Sequence, residues 1–305
     1  MFKKLVIQSH KGPYTLLFDN MLLANHESLF DGTPHFLVDG NVARLYQSEL
    51  ADVLKHPNTV IIDATEENKS IERVIPVIEQ LVANKARREH TLVAIGGGII
   101  QDITCFIAST LLRGISWKFV PTTLLAQSDS CIGSKSSINL GATKNILGTF
   151  NPPTEIFVCS AFLDTLNHKD LLSGIGEILK VHAINGKLSF DQLANDYDDL
   201  LNDRTTLLRY IGGALQIKQK FIEVDEFDRG IRNIFNYGHS FGHAIESATN
   251  FGVPHGIAVT IGMDMANRIA ALRGLLPEEH YHRMHRVLRK NYASFSHTVI
   301  PLDAL

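Results

Sequence analysis

The first half of the chain alternates between two kinds of segment, and that alternation most limits what it can become. Short runs rich in β-branched and aromatic residues recur at 4–8, 14–18, 36–39, 60–63, 92–95, 117–120 and 156–159. Helix-like segments at 42–54, 70–87 and 101–112 lie between several of them. Strands separated by helices cannot close as simple hairpins, so the pattern calls for a mostly parallel sheet covered by helices. Ligands of such sheets bind beyond the carboxyl ends of the strands. After Pro152-Pro153 and one more strand the character changes, and from about Asn167 the periodicities are long and helical: 171–184, 205–223, 236–249, 255–273 and 278–289. The expectation is an α/β domain over residues 1–160 followed by an all-α domain over 161–305.

Composition narrows the function classes. A net charge of −3 gives no electrostatic case for nucleic acid or for an anionic membrane surface. Three widely spaced cysteines, Cys105, Cys131 and Cys159, without CxxC pairing, argue against a disulfide framework and for a reducing compartment. The opening Met1-Phe2-Lys3-Lys4-Leu5-Val6-Ile7 has too short an apolar run for a signal peptide, and no stretch reaches membrane-spanning length. A cytoplasmic location is expected.

The densest chemistry lies in the second half, in NYGHSFGHAIE (236–246) followed by Pro254-His255-Gly256. His239 and His243 are four apart and share a helical face. His255 follows a loop containing Asn250, Gly252 and Pro254, where the chain can turn back. A catalytic zinc takes three protein ligands and keeps an open position, so one carboxylate added to two of these imidazoles completes a site. Glu177, in the apolar surroundings of GIGEILK, is the candidate carboxylate beside His239 and His255. Lys180, one turn on, would then be a proton donor or oxyanion partner. The bland alternatives are satisfied core histidines and an ordinary surface ion pair. A protease motif is excluded, because Ser240 rather than Glu follows the first histidine. Lys218, Arg232 and Asn236 complete the polar set. Arg232 lies one helical turn before Asn236, and its guanidinium suits a bidentate grip on a carboxylate.

In the first half, LVAIGGGIIQD runs from a strand through Gly96, Gly97 and Gly98 into a helix carrying Asp102. Bare backbone at a helix N-terminus can cradle a phosphate, and a dinucleotide pyrophosphate is the natural guest. A tight turn explains the glycines equally well, and the spacing is not GxGxxG. Asp39 with Asn41, and Glu66 with Lys69, follow strands where carboxylates bind ribose hydroxyls or simply cap helices. Between 121 and 150, Thr122, Thr123, Asp129, Ser130, Lys135, Ser136, Ser137, Lys144 and Asn145 are interleaved with apolar residues, and Arg113 lies just upstream. Lysines among hydroxyls and glycines suit a phosphorylated small molecule. A solvated surface loop is the alternative, although Leu124, Leu125, Ile132 and Ile138 draw the stretch inward.

Taken together these residues resemble the 3-dehydroquinate synthase and wider sugar phosphate cyclase family. The resemblance runs from about Asp39 to Ala270 and is carried by GGGIIQD, RGISWKFVPTTLLAQSDS, the Lys144-Asn145 pair, GEILK, NYGHSFGHAIE and HGIAVTIGM. It implies a Rossmann-like, NAD-binding α/β domain and a helical domain that binds metal and substrate, with NAD in the cleft. The metal, zinc or cobalt, falls on Glu177, His239 and His255, which moves His243 to the substrate phosphate. The implied NAD contacts are Asp39, Glu66, Lys69, Gly97, Gly98, Asp102, Thr122, Thr123, Lys144 and Thr165, to which the strand-end position adds Asn41. The implied substrate contacts are Asp129, Lys135, Asn145, Lys180, Lys218, Arg232, Asn236 and His243. Arg113 matches an arginine that reaches a partner's site, so a homodimer is implied.

The implied activity is that of a carbon–oxygen lyase. It converts 3-deoxy-D-arabino-heptulosonate 7-phosphate to 3-dehydroquinate by oxidation, phosphate elimination, reduction, ring opening and intramolecular aldol closure. The family pattern is not followed everywhere. Gln101 stands where glycine is usual before Asp102, Ile257 replaces a common glutamate, and Gly133-Ser134-Lys135-Ser136 replaces a glycine pair followed by lysine and threonine. Family members usually continue past this chain's Leu305 with a lysine-bearing segment, a role not given to Lys290. The alternatives are a valiolone- or deoxy-inosose-type cyclase, a polyol dehydrogenase and an inactive homologue. Sugar phosphates lacking a carboxylate would leave Arg232 without its main task.

Overall fold

A computed structural model describes residues 3–141 and 143–300. The chain divides into two compact units. One runs to Thr165 and takes back Ile222–Phe227, while the other comprises Leu166–Phe221 and the chain from Asp228 onward.

The first unit is built on a seven-stranded sheet. Its strands are β1 (Lys4–Ile7), β2 (Tyr14–Phe18), β3 (Pro34–Asp39), β4 (Thr59–Ile62), β5 (Thr91–Gly96), β6 (Ser116–Pro121) and, after a hairpin, β9 (Glu155–Val158). They lie in the order β1-β2-β9-β6-β5-β3-β4, all parallel except for the β1–β2 pairing. Every residue of β3 and β5 is buried, which is why both read as continuous apolar runs rather than alternating ones. Register sets Val38 opposite Ile95 and Gly96 opposite Pro121, so the carboxyl ends of β3, β5 and β6 share one edge. Phe36, Val38, Val93, Ile95, Val120 and Phe157 pack one face of the core with Leu22, Leu29 and Val53.

Four helices of this unit follow its strands: α1 (Gly40–Leu45), α2 (Ala51–Lys55), α3 (Ile71–Ala83) and α4 (Gly98–Thr110). The single helix expected over 42–54 is instead the pair α1 and α2. Tyr46 interrupts it with non-helical backbone, because its hydroxyl donates to the Ala161 carbonyl (2.9 Å) and its ring packs edge-on to Phe162. A further departure is the hairpin of β7 (Lys135–Leu140) and β8 (Thr143–Phe150) within the polar stretch. Residues of β8 are largely exposed, so no apolar alternation announces that strand.

The second unit is helical: α5 (His168–Ile184), α6 (Lys187–Asn195), α7 (Tyr197–Asn202), α8 (Arg204–Val224), α9 (His239–Ala248), α10 (His255–Leu272) and α11 (Glu278–Tyr292). Short α6 and α7 are absent from the sequence expectations, for each buries only two residues: Phe190 and Leu193, then Tyr197 and Leu200. Ile231–Asn236 forms a 3-10 helix, which corrects the premise that Arg232 and Asn236 stack one α-helical turn apart. At three residues per turn, positions four apart diverge, and Arg232 is buried while Asn236 is exposed. Among the described residues no helix is long and apolar enough to cross a membrane.

Candidate functional site

Glycines bring α5, α9 and α10 into backbone contact. A Cβ on Gly256 would lie 1.8 Å from the Ser173 carbonyl oxygen, and one on Gly176 would lie 2.1 Å from that of Gly256. A Cβ on Gly262 would lie 2.1 Å from the Gly238 oxygen. The Gly256 amide donates to Ser173 Oγ at 3.0 Å. Glu177 and His255 each adjoin one of these glycines in sequence, and so end side by side. His239 opens α9 after Gly238, whose positive φ of 80° turns the chain into the helix.

Ligand atoms of Glu177, His239 and His255 all lie within 4.8 Å of one another. His255 Nε2 is 3.6 Å from Glu177 Oε1, and the His239 and His255 ring centroids are 5.3 Å apart. A carboxylate and two imidazoles are a donor set suited to catalytic zinc or cobalt. Burial, with help from Lys180 and His255, pushes His239 down to about 4, so its ring is neutral at pH 7 and has a lone pair to give. Burial also acts to lower His255, but its hydrogen bond to Glu246 and the charges of Glu177 and Glu246 outweigh this and raise it. A second grouping, His243, Glu246 and His255, shares His255 but uses the exposed His243. Burial and the neighbouring His255 lower His243.

Lys180 forms a buried ion pair with Glu177, and its Nζ lies 5.9 Å from the Phe235 ring centroid. Phe235 packs with Val181, Ala214 and Ile217, drawing together α5, α8 and the 3-10 helix. Lys180, Lys218 and Arg232 are therefore three buried cations carried by elements that meet in one small apolar cluster. Charged groups are buried only with partners or for a ligand.

In the α/β unit, Asp39, Gly97, Gly98, Thr122 and Thr123 line the shared carboxyl edge. Asp39 caps α1 by accepting from the Asn41 amide at 2.8 Å, and burial raises its carboxyl. Asn41 itself is exposed, its side chain accepting from Arg44. A Cβ on Gly97 would sit 3.0 Å from Thr123 Cγ2, whereas one on Gly98 would meet nothing within 4 Å. The N-terminus of α4 has no side-chain cap, leaving its first amides to a ligand or to water.

A second group joins the end of β4 to the hairpin. Lys69 Nζ donates to Asp102 Oδ2 (3.2 Å) and to Asn145 Oδ1 (2.8 Å), and Asn145 Oδ1 also accepts from Ser137 Oγ at 3.0 Å. Burial lifts Asp102 to about 6, with Lys69 pulling the other way. Lys144 Nζ is 3.9 Å from Glu66. Asn145, expected among the substrate residues, thus bonds through its side chain to Lys69, an expected NAD contact that also holds Asp102. Asn139, not singled out in the sequence, donates to Glu66 Oε1 (2.9 Å) and accepts from the Asn145 amide (2.8 Å).

The remaining expected residues are more scattered. Asp129 lies half-buried in a π-helical turn (Ala126–Ser130), Lys135 is exposed at the start of β7, and Thr165 is exposed with its hydroxyl 3.0 Å from Tyr46 Oη. Exposed Arg113 follows Leu112, and both have positive φ, 65° and 54°. The unusual Gln101 ties α4 to the π turn, its Nε2 donating to the Ser130 carbonyl (2.6 Å) and its Oε1 accepting from Ser130 Oγ (2.7 Å). The unusual Ile257 is fully buried against Leu172, Ile245 and Val253. Glu246 is the acidic residue sequence reasoning quoted but left without a role; its position three after His243 on α9 was the available signal.

Comparison with known proteins identifies the chain. The 3-dehydroquinate synthase N-terminal family model matches residues 59–173 and the 3-dehydroquinate synthase C-terminal model residues 174–305. A 3-dehydroquinate synthase of Campylobacter concisus (strain 13826) is 38% identical over 263 residues, covering 85% of this chain and 75% of the relative. Among solved structures, the 2-epi-5-epi-valiolone synthase ValA of Streptomyces hygroscopicus subsp. jinggangensis 5008, with NAD+ and Zn2+ bound, superposes with a TM-score of 0.84 at 30% identity, covering 95% of this chain and 84% of that one. A 2-deoxy-scyllo-inosose synthase complexed with carbaglucose-6-phosphate, NAD+ and Co2+ shares the fold (TM-score 0.83, 24% identity, 99% and 84% coverage). The chain belongs to the 3-dehydroquinate synthase family.

Proposed function

We propose that this chain is a metal- and NAD-dependent 3-dehydroquinate synthase, a lyase that releases phosphate from 3-deoxy-D-arabino-heptulosonate 7-phosphate while forming the carbocycle. The observation that carries the reading is the convergence of Glu177, His239 and His255 beside buried Lys180. Those three side chains would hold the divalent cation, which when bound supplies Lewis-acid polarisation of a substrate oxygen. Asp39, Asn41, Glu66, Lys69, Gly97, Gly98, Asp102, Thr122, Thr123, Lys144 and Thr165 would hold NAD, which supplies reversible hydride transfer.

The chain's own groups then divide the remaining work. Lys180 keeps an ammonium against Glu177 and donates a proton or stabilises an oxyanion. Arg232 and Lys218 clamp the substrate carboxylate. His243, Asn236, Asn145, Lys135 and Asp129 orient the phosphate and the ring hydroxyls. Arg113 reaches into a partner subunit's site in a homodimer. Two successive left-handed non-glycine residues cost roughly 1–2 kcal/mol each, and strain of this kind is kept where it serves a function. The burial and wide spacing of Cys105, Cys131 and Cys159 suit a reducing compartment such as the cytoplasm.

The test is phosphate release from the heptulosonate phosphate, from sedoheptulose 7-phosphate and from glucose 6-phosphate, each with and without chelator. Chelator-sensitive release from the first alone is expected. Preferential release from either of the others makes the chain a different sugar phosphate cyclase, and accumulation of NADH without phosphate release makes it a dehydrogenase.

A further inference from the structure

His255 stands between two carboxylates, one for each ring nitrogen. Nδ1 is 3.1 Å from Glu246 Oε2, and Nε2 is 3.6 Å from Glu177 Oε1. A neutral imidazole carries one N–H, and only the first separation is a hydrogen-bond distance. In the neutral ring that metal binding requires, the proton therefore belongs on Nδ1, which leaves the Nε2 lone pair to face Glu177 and His239. Two ligands bound tetrahedrally to one zinc at about 2.0–2.2 Å stand roughly 3.3–3.6 Å apart, which is the Nε2–Glu177 spacing. Glu246 lies seven residues after His239 on α9, so one helix offers both a ligand and a brace for the histidine that opens α10. Its side chain is 12% exposed, protected enough to hold one geometry.

We propose that Glu246 is a positioning residue of the metal centre: it accepts the Nδ1–H of His255, fixes the ring's tautomer and orientation, and turns Nε2 toward the metal without binding the metal itself. Carboxylate–histidine–metal relays of this kind set both ligand geometry and basicity. The inference rests on the metal-site reading above. It also resolves the two overlapping donor groups, because a ring held at Nδ1 by Glu246 cannot give that nitrogen to a cation shared with His243.

The test uses the intact protein and zinc itself, by competition with a chromogenic chelator, on wild type, Glu246→Ala, Glu246→Gln and His255→Ala. Glu246→Ala is expected to weaken zinc binding about 10- to 100-fold. Glu246→Gln, whose amide oxygen still accepts from Nδ1, is expected to recover much of the loss. The visible spectrum of the cobalt-substituted protein should keep its band positions in Glu246→Ala, since the ligands are unchanged. In metal-free wild type at a pH high enough to make the ring neutral, long-range 15N–1H correlation should show His255 protonated at Nδ1, and that preference should vanish in Glu246→Ala. Zinc affinity within twofold of wild type in Glu246→Ala overturns the proposal. So does a changed cobalt spectrum, which would make Glu246 a ligand. If His255→Ala also leaves zinc affinity unchanged, the metal-site reading itself has failed, a result distinct from the other two.

Discussion

Replacing Gly256 by alanine probes the contact on which the metal centre depends. The new Cβ would sit 1.8 Å from the Ser173 carbonyl oxygen and 2.7 Å from its carbon, while real Cβ atoms essentially never approach within 3.0 Å. The obstacle is α5 backbone, not a flexible side-chain end, so α5 and α10 must part by at least about 1.2 Å, the difference between 3.0 and 1.8. Carried whole along the line joining them, that movement would take the Nε2–Glu177 separation from 3.6 Å to about 4.8 Å. Two ligands at about 2.0–2.2 Å can be no more than roughly 4.4 Å apart even in a straight line through zinc, so Glu177 and His255 could no longer share one ion. Overpacking costs about 1–3 kcal/mol, and weakening the Gly256–Ser173 hydrogen bond costs about 1 more, enough to lower Tm by roughly 5–10 °C. The assay is zinc affinity by chelator competition alongside thermal unfolding. Gly213→Ala is the control, since its Cβ would meet only His182 at an ordinary 3.4 Å. It should be neutral or slightly stabilising within α8. If Gly256→Ala binds zinc within twofold of wild type and melts within 2 °C or so, glycine contact does not set the ligand geometry.

Three further outcomes follow from other parts of the molecule. Arg113→Ala and Lys180→Ala, each inactive alone, should regain roughly a quarter of wild-type sites when mixed and allowed to exchange subunits; no recovery means that Arg113 serves no neighbouring site. Lys69→Met should lower stability by roughly 2–3 kcal/mol through loss of its contacts to Asp102 and Asn145, and should weaken NAD binding at least tenfold by calorimetry; unchanged NAD binding would remove Lys69 from the cofactor group. Burial holds His182 down at about 4, so the folded chain refuses a proton that the unfolded chain accepts near 6.5. Its contribution is complete above about pH 7, is lost as the pH falls from 6.5 toward 4, and amounts to about 3 kcal/mol. Denaturant titrations from pH 7 to 4.5 should show a shallower loss in His182→Gln than in wild type, and an identical slope in both would contradict the assignment.

The sheet was legible in the sequence because its buried parallel strands write themselves as short unbroken apolar runs, as in Leu92-Val93-Ala94-Ile95. The long helices were legible for the complementary reason, a stripe of apolar residues recurring every three or four positions. What escaped was whatever buries little. Strand β8 is largely exposed, α6 and α7 each bury two residues, and a 3-10 turn at 231–236 looks helical in sequence but points Arg232 and Asn236 differently. At the metal centre Glu177, His239 and His255 were nameable as a set, because acid and imidazole stand out in apolar surroundings and match a family pattern. What brings them together was not legible, because it depends on Gly176, Gly256 and Ser173 meeting across two helices far apart in sequence. Glu246 escaped for a related reason: its value lies in which nitrogen of a distant ring it touches.

Gln101 offers a practical consequence. One side-chain amide grips both the carbonyl and the hydroxyl of Ser130, fastening the second turn of α4 to the bend that carries Asp129. The start of the helix and the bend bearing the acid are therefore joined by side-chain bonds as well as by the chain between them. Attempts to retune substrate choice in this chain should randomise positions 101 and 130 together, because replacing Gln101 removes both bonds, whereas replacing Ser130 removes the hydroxyl bond and leaves the carbonyl one in place.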